Sequence, residues 1–160
     1  MNPYQDRQFP QRQNSAAGAF LPIGQSDIVL LTISTENRKP WLGNDTAHQL
    51  LHETWSEATA WFVGDYLLMP DHLHLFCAPR DLSFTLETWI TSWQREFSFK
   101  HGLRDWKFSA RGWHPQWCDG ENYSAKWVHV QENPIRKGLV LNIEDWPFKG
   151  RVFDLMWSNE

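Results

Sequence analysis

The feature that most constrains the fold is a pair of β-prone runs joined by almost nothing. Trp61 to Leu68 is rich in aromatic and β-branched residues, Pro70-Asp71 forms a turn, and His72 to Ala78 is a second such run, closed by Pro79. Two strands this close in sequence pair antiparallel, because a parallel pair needs a crossover of about a dozen residues or more. A doubly wound parallel sheet therefore fits poorly.

The flanking segments extend this plan. Ile28-Val29-Leu30-Leu31-Thr32-Ile33 reads as a buried strand. Asn44 or Asp45 offers an N-cap for a helix carrying Leu50, Leu51, Trp55 and Ala58. After the hairpin, Leu82, Leu86, Trp89, Ile90, Trp93 and Phe97 recur at a helical period. Residues 101–120 are irregular, with room for a fourth strand. Tyr123 to Glu132 reads as a further helix whose apolar face is Tyr123, Trp127 and Val130; Pro134 ends or bends it, and Gly138 ends the turn that follows. The order β-α-β-β-α predicts an α+β, ferredoxin-like sandwich, an antiparallel sheet with helices on one face. Residues 1–20, polar and rich in Gln and Pro, read as a flexible tail, and residues 21–160 as a single domain.

Composition narrows the function classes. No run approaches the ~18 apolar residues of a membrane helix, and the N-terminus has no apolar signal core, so a cytoplasmic protein is expected. Cys77 and Cys118 lack metal-ligand spacing and read as small buried groups. Eleven Trp in 160 residues must be buried or offer faces for stacking. The net charge of −4 argues mildly against a general nucleic-acid binder. However, Arg95, Lys100, Arg104, Lys107, Arg111, Lys126, Arg136 and Lys137 all fall in the C-terminal half, where a local basic groove can form.

The chemistry concentrates in Met69-Pro70-Asp71-His72-Leu73-His74-Leu75-Phe76. On a strand, residues i and i+2 share a face, so His72 and His74 project together while Leu73 and Leu75 enter the core. Two adjacent imidazoles can ligate a divalent metal; surface polar alternation is the simpler reading of a bare His-x-His. Asp71 reads as a cap on the turn, and His48, His52, His101 and His114 as surface or loop residues.

Three further segments accompany this string, in order: Asn37-Arg38-Lys39-Pro40-Trp41-Leu42, Gln131-Glu132-Asn133-Pro134-Ile135-Arg136-Lys137-Gly138-Leu139-Val140, and Asp145-Trp146-Pro147-Phe148. Together they resemble the motifs of the REP-associated tyrosine transposases, members of the His-hydrophobic-His (HUH) nuclease superfamily. The resemblance implies a transposase that binds single-stranded or hairpin DNA as a monomer or homodimer. It also implies Mg²⁺ or Mn²⁺ held by His72 and His74 over the scissile phosphate, with Asn133 completing the metal shell. A tyrosine one helical turn before that asparagine would attack phosphorus and form a 5′-phosphotyrosine.

Here the chain departs from the family, because His129 stands where the tyrosine is expected. Tyr123 is a substitute nucleophile, but it lies some 120° around the helix from His129 and on the apolar stripe. His129 can be a third histidine ligand, which would favour Zn²⁺ or Mn²⁺. It can also activate water, or attack phosphorus itself. A domesticated, catalytically inactive DNA-binding protein is a further reading, and a metal-dependent hydrolase acting on a small phosphorylated substrate is another. For DNA contacts, Arg95, Arg136 and Lys137 are candidates at phosphates, and Trp113 and Trp117 can stack on unpaired bases or pack in the core.

Overall fold

The computed structural model describes residues 28–155. The tail expected over residues 1–20 lies outside them.

Strands β1 (Ile28–Thr35), β2 (Trp61–Leu68), β3 (His72–Pro79), β4 (Phe108–Cys118) and β5 (Lys149–Arg151) form one sheet in the order β4-β1-β3-β2-β5. Every neighbouring pair is antiparallel. Helix α1 (Asp45–Glu57) links β1 to β2, and α2 (Leu86–His101) links β3 to β4. With β3 between the parallel β1 and β2, this is the split β-α-β plan expected from the sequence. Helix α3 (Gly120–Gln131) follows β4, and a single turn, α4 (Asn133–Arg136), begins at the Asn-Pro step.

Local signals explain the boundaries. The Asn44 side chain accepts a hydrogen bond from the Ala47 amide and starts α1. Thr85 caps α2, and Gly102, with φ of 63°, ends it. Leu82 therefore lies before α2 rather than on it, in a short turn, and is exposed. The irregular stretch after α2 resolves into the 11-residue β4, long despite Gly112 and Pro115 because it is an edge strand.

The sheet is apolar on both sides. Val29, Leu31, Ile33, Leu73, Leu75 and Cys77 face α1 and α2, where Trp55, Trp89 and Trp93 fill the layer. Ile28, Leu30, Phe76 and Ala78 point the other way, against Tyr123, Trp127 and Val130 of α3 and against Trp146. One-sided helix packing thus holds for α1 and α2, while α3 covers part of the opposite face. The stripe predicted for α3 is the reason: three apolar groups on one helix need a partner surface. Trp146 anchors the C-terminal segment there, donating from its indole to the Leu68 carbonyl at 2.9 Å.

A bulge interrupts the β2–β3 register between Val63 and Tyr66. The extra residue turns Tyr66 toward α1 and leaves the buried Asp65 on the α3 side.

Candidate functional site

His72 and His74 lie on β3 with the parity of Phe76 and Ala78, so they face α3 and not the α1–α2 layer. Their rings stand 5.0 Å apart between centroids, at 86° to one another. Each ring is held from behind through Nδ1. His72 Nδ1 lies 2.9 Å from the Asp71 carboxylate. His74 Nδ1 lies 2.9 Å from the hydroxyl of Thr32, which the β1–β3 register sets directly opposite. A carboxylate accepts, so the proton of His72 belongs on Nδ1 and its Nε2 carries a lone pair. The same tautomer suits His74, with Nδ1–H donating to the hydroxyl.

Both Nε2 atoms converge on Asn133, at the start of α4. The Asn133 amide nitrogen lies 3.1 Å from Nε2 of His72 and 3.3 Å from Nε2 of His74. The sequence brings these groups together by simple means. Strand alternation pairs the histidines, and Pro134 breaks α3 so that Asn133 begins a new turn above them.

Electrostatics keep the pair neutral. Burial lowers the pKa of His74 from 6.5 to about 3, and the nearby His72, His129 and Arg136 push the same way. Burial also lowers His72, opposed by Asp71 and aided by Arg38 and Lys137. Burial raises the Asp71 carboxyl, but its bond to His72 and the Arg38 charge outweigh this and hold it below its usual range. Asp71 is therefore more than a turn cap, since it joins Arg38 (3.0 Å) to the first histidine.

This donor set fits a divalent ion. It offers two neutral imidazole lone pairs whose Nδ1 atoms are already engaged, the arrangement that orients metal-binding histidines. The Asn133 amide now presents its NH₂ to both lone pairs. Rotating the amide by half a turn puts its carbonyl oxygen there instead. Among the described residues, no three of His, Cys, Asp and Glu converge as a metal cluster. His129 thus borders the site without joining the pair as a third histidine ligand in this arrangement.

The histidines floor a cleft of about 450 Å³ whose walls include Arg38, Gln116, His129, Arg136 and Lys137. His129 is exposed, and its carbonyl accepts from the Arg136 guanidinium at 2.9 Å. Arg38 is held over the rim by bonds to Asp71 and to the Ser34 hydroxyl. It follows Asn37 in a rare pair of left-handed residues, with φ of 57° and 55°.

Other residues singled out from the sequence do not line the cleft. The Tyr123 hydroxyl donates to Asp65 at 2.8 Å, its ring packs on Phe76 at 4.2 Å, and it does not line the cleft. Arg95 stands on α2, across the sheet from the histidines, among Thr88, Thr91 and Ser92. Trp113 and Trp117 pair with Ile33 and Val29, so they turn to the α1–α2 layer and pack against it. His48 and His52 are half-buried and bonded to Tyr66, and His101 packs on Phe97, so these three are not free surface groups; His114 is exposed.

Sequence reading missed Thr32 and Gln116, which the strand register alone brings to the histidine face. Arg38 stands within the Asn37–Leu42 motif, and only the fold shows that it reaches the cleft rim.

No family model matches the sequence. No curated protein matches it. Among solved structures, the fold is similar to that of a REP-associated tyrosine transposase bound to a REP hairpin. The TM-score is 0.65 at 16% identity, over 89% of this chain and 82% of the other. At that identity the likeness is one of fold.

Proposed function

We propose that this chain binds the single-stranded foot of a DNA hairpin in the histidine cleft, on a transposase-type scaffold that lacks its tyrosine nucleophile. The observation that carries the reading is the convergence of His72, His74 and Asn133 at the floor of a cleft bordered by Arg38, Arg136 and Lys137. The fold likeness to a hairpin-bound transposase supports the same partner.

His72, His74 and Asn133 would hold Mg²⁺ or Mn²⁺, which when bound supplies Lewis-acid stabilisation of charge on a phosphoryl oxygen. Arg38, Arg136 and Lys137, which line the cleft, bind backbone phosphates and set the strand's position. Asp71 and Thr32 keep both imidazoles in one orientation and tautomer. The group beside this set is the His129 imidazole, and the Tyr123 hydroxyl is committed to Asp65. Strand capture on a tyrosine is therefore no part of this reading.

The test pairs fluorescence anisotropy with denaturing gels, using labelled hairpins from sequence flanking the gene. Hairpins with a single-stranded foot should bind more tightly than blunt duplexes, and Arg136→Ala with Lys137→Ala should weaken that binding. Equal affinity for duplex, or indifference to those substitutions, overturns the reading. A protein–DNA adduct lost on Tyr123→Phe would return the tyrosine to the chemistry and overturn the missing-nucleophile part.

A second reading rests on His129 bordering the cleft. There His129 acts as general base for water, and the chain is a nickase. A nick without adduct in Mn²⁺, lost on His129→Ala, is its signature; intact DNA under every metal excludes it.

A further inference from the structure

On the other side of the sheet, a second group of donors converges with no part in the cleft. His48 and His52 are one turn apart on α1 and so share a helix face. His48 Nε2 lies 2.7 Å, and His52 Nδ1 2.9 Å, from the single phenolic oxygen of Tyr66 on β2. The β2 bulge puts that oxygen there by turning Tyr66 toward α1. Tyr66 is 1% exposed as a residue, and a Cβ added at Gly150 would stand 2.8 Å from its hydroxyl. The β5 backbone thus closes over the phenol, while the two imidazoles border an open pocket of about 810 Å³.

We propose that His48, His52 and Tyr66 form a zinc site that clips α1 to β2, independent of the histidine cleft. Two imidazole nitrogens and an oxygen suit zinc, with water in the fourth position. The third donor is a phenol, so only two of the residue types that most often hold zinc take part. Coordination releases the phenol proton to solvent and replaces two hydrogen bonds by metal bonds. Ligands at zinc distances of about 2.0–2.1 Å stand roughly 3.3 Å apart in a tetrahedron. The two separations from the phenol oxygen, 2.7 and 2.9 Å, are shorter than this by a few tenths of an ångström, and the imidazoles can swing toward the open pocket to make up the difference.

The rim carries both signs of charge: Asp45 borders the pocket, Glu53 is paired with Lys100 at 3.1 Å, Arg151 is paired with Asp65 at 3.0 Å, and Lys149 donates to the Ile143 carbonyl at 2.8 Å. The site also bridges α1 and β2, so a metal tie there adds to the hold of the helix on the sheet.

The experiment uses untagged full-length protein carrying His72→Ala and His74→Ala, which removes the cleft donors. Co²⁺ is titrated by visible absorption and then displaced with Zn²⁺, and thermal melts are recorded with and without zinc. One equivalent of tetrahedral Co²⁺, displaced by zinc, is expected, with a melting temperature several degrees higher in zinc. His48→Gln or His52→Gln should weaken binding at least about tenfold and abolish the thermal shift. Tyr66→Phe should weaken binding and alter the Co²⁺ spectrum while still melting cooperatively in EDTA. Absence of bound Co²⁺ in the parent, or binding untouched by the His48 and His52 substitutions, overturns the proposal.

Discussion

Asp71 stands between Arg38 and His72, and its two oxygens serve different masters. One fixes the proton of the imidazole and the other holds the guanidinium at the cleft rim. Asp71→Asn keeps the shape but replaces an acceptor by an amide and removes the charge. Mn²⁺ affinity of the cleft should fall about 10–100-fold, read by calorimetric titration, with the fold intact by circular dichroism. An unchanged affinity would show that His72 needs no partner behind it. At this scale the sequence was generous where chemistry is local. The His-x-His spacing gave the pair its shared face, and the helical offset put His129 and Asn133 by the same cleft. Thr32 and Gln116 were invisible because their strand partners, His74 and Leu30, lie far away in the chain and only a register joins them.

Among elements, β2 shows best how one irregularity arranges a face. Its bulge buries Tyr66 under α1, leaves Asp65 to Tyr123 and Arg151, and presents Gly64 to the C-terminal segment. A Cβ on Gly64 would approach Leu155 to 2.7 Å. Gly64→Ala should therefore cost about 1–3 kcal/mol through overpacking, measured by urea unfolding; a neutral result would show that Leu155 moves aside freely. The element sequence itself was readable from periodicity and caps, down to the limits of β2. The bulge, the length of β4 and the placement of α3 on the far face were not. Each depends on pairing partners or on a second apolar surface that no single segment discloses.

For the whole molecule, charge and protons give two measurable responses. In metal-free protein the half-buried His74 titrates at about 3 when folded and near 6.5 when unfolded. Above 6.5 neither state binds the proton, and this group leaves stability unchanged. As pH falls below 6.5 the unfolded chain alone takes it up, so stability is lost progressively toward pH 3. The loss is on the order of 3 kcal/mol by about pH 4. Denaturant melts in EDTA should show that slope, and His74→Asn should flatten it; parallel profiles would mean that His74 opens to solvent. Hairpin affinity should fall with salt by about 0.7 log units per contacted phosphate per log unit. Removing Arg38, Arg136 or Lys137 should lower that slope by roughly one contact each, whereas Arg95→Ala, across the sheet, should leave it alone.

The sheet order also sets a timetable. β1 is the first described strand to leave the ribosome, yet it lies inside the sheet, between β3 and β4. Its Val29 waits for Cys77 on one side and for Trp117 on the other. Until then an apolar strand has two open edges, the condition under which nascent chains associate wrongly. Asn133 comes later still, so the histidine cleft is assembled only after the centre of the sheet has closed. A chain ended before α4 would lack β5 and the Trp146 tie to β2 as well as the third group above the histidines.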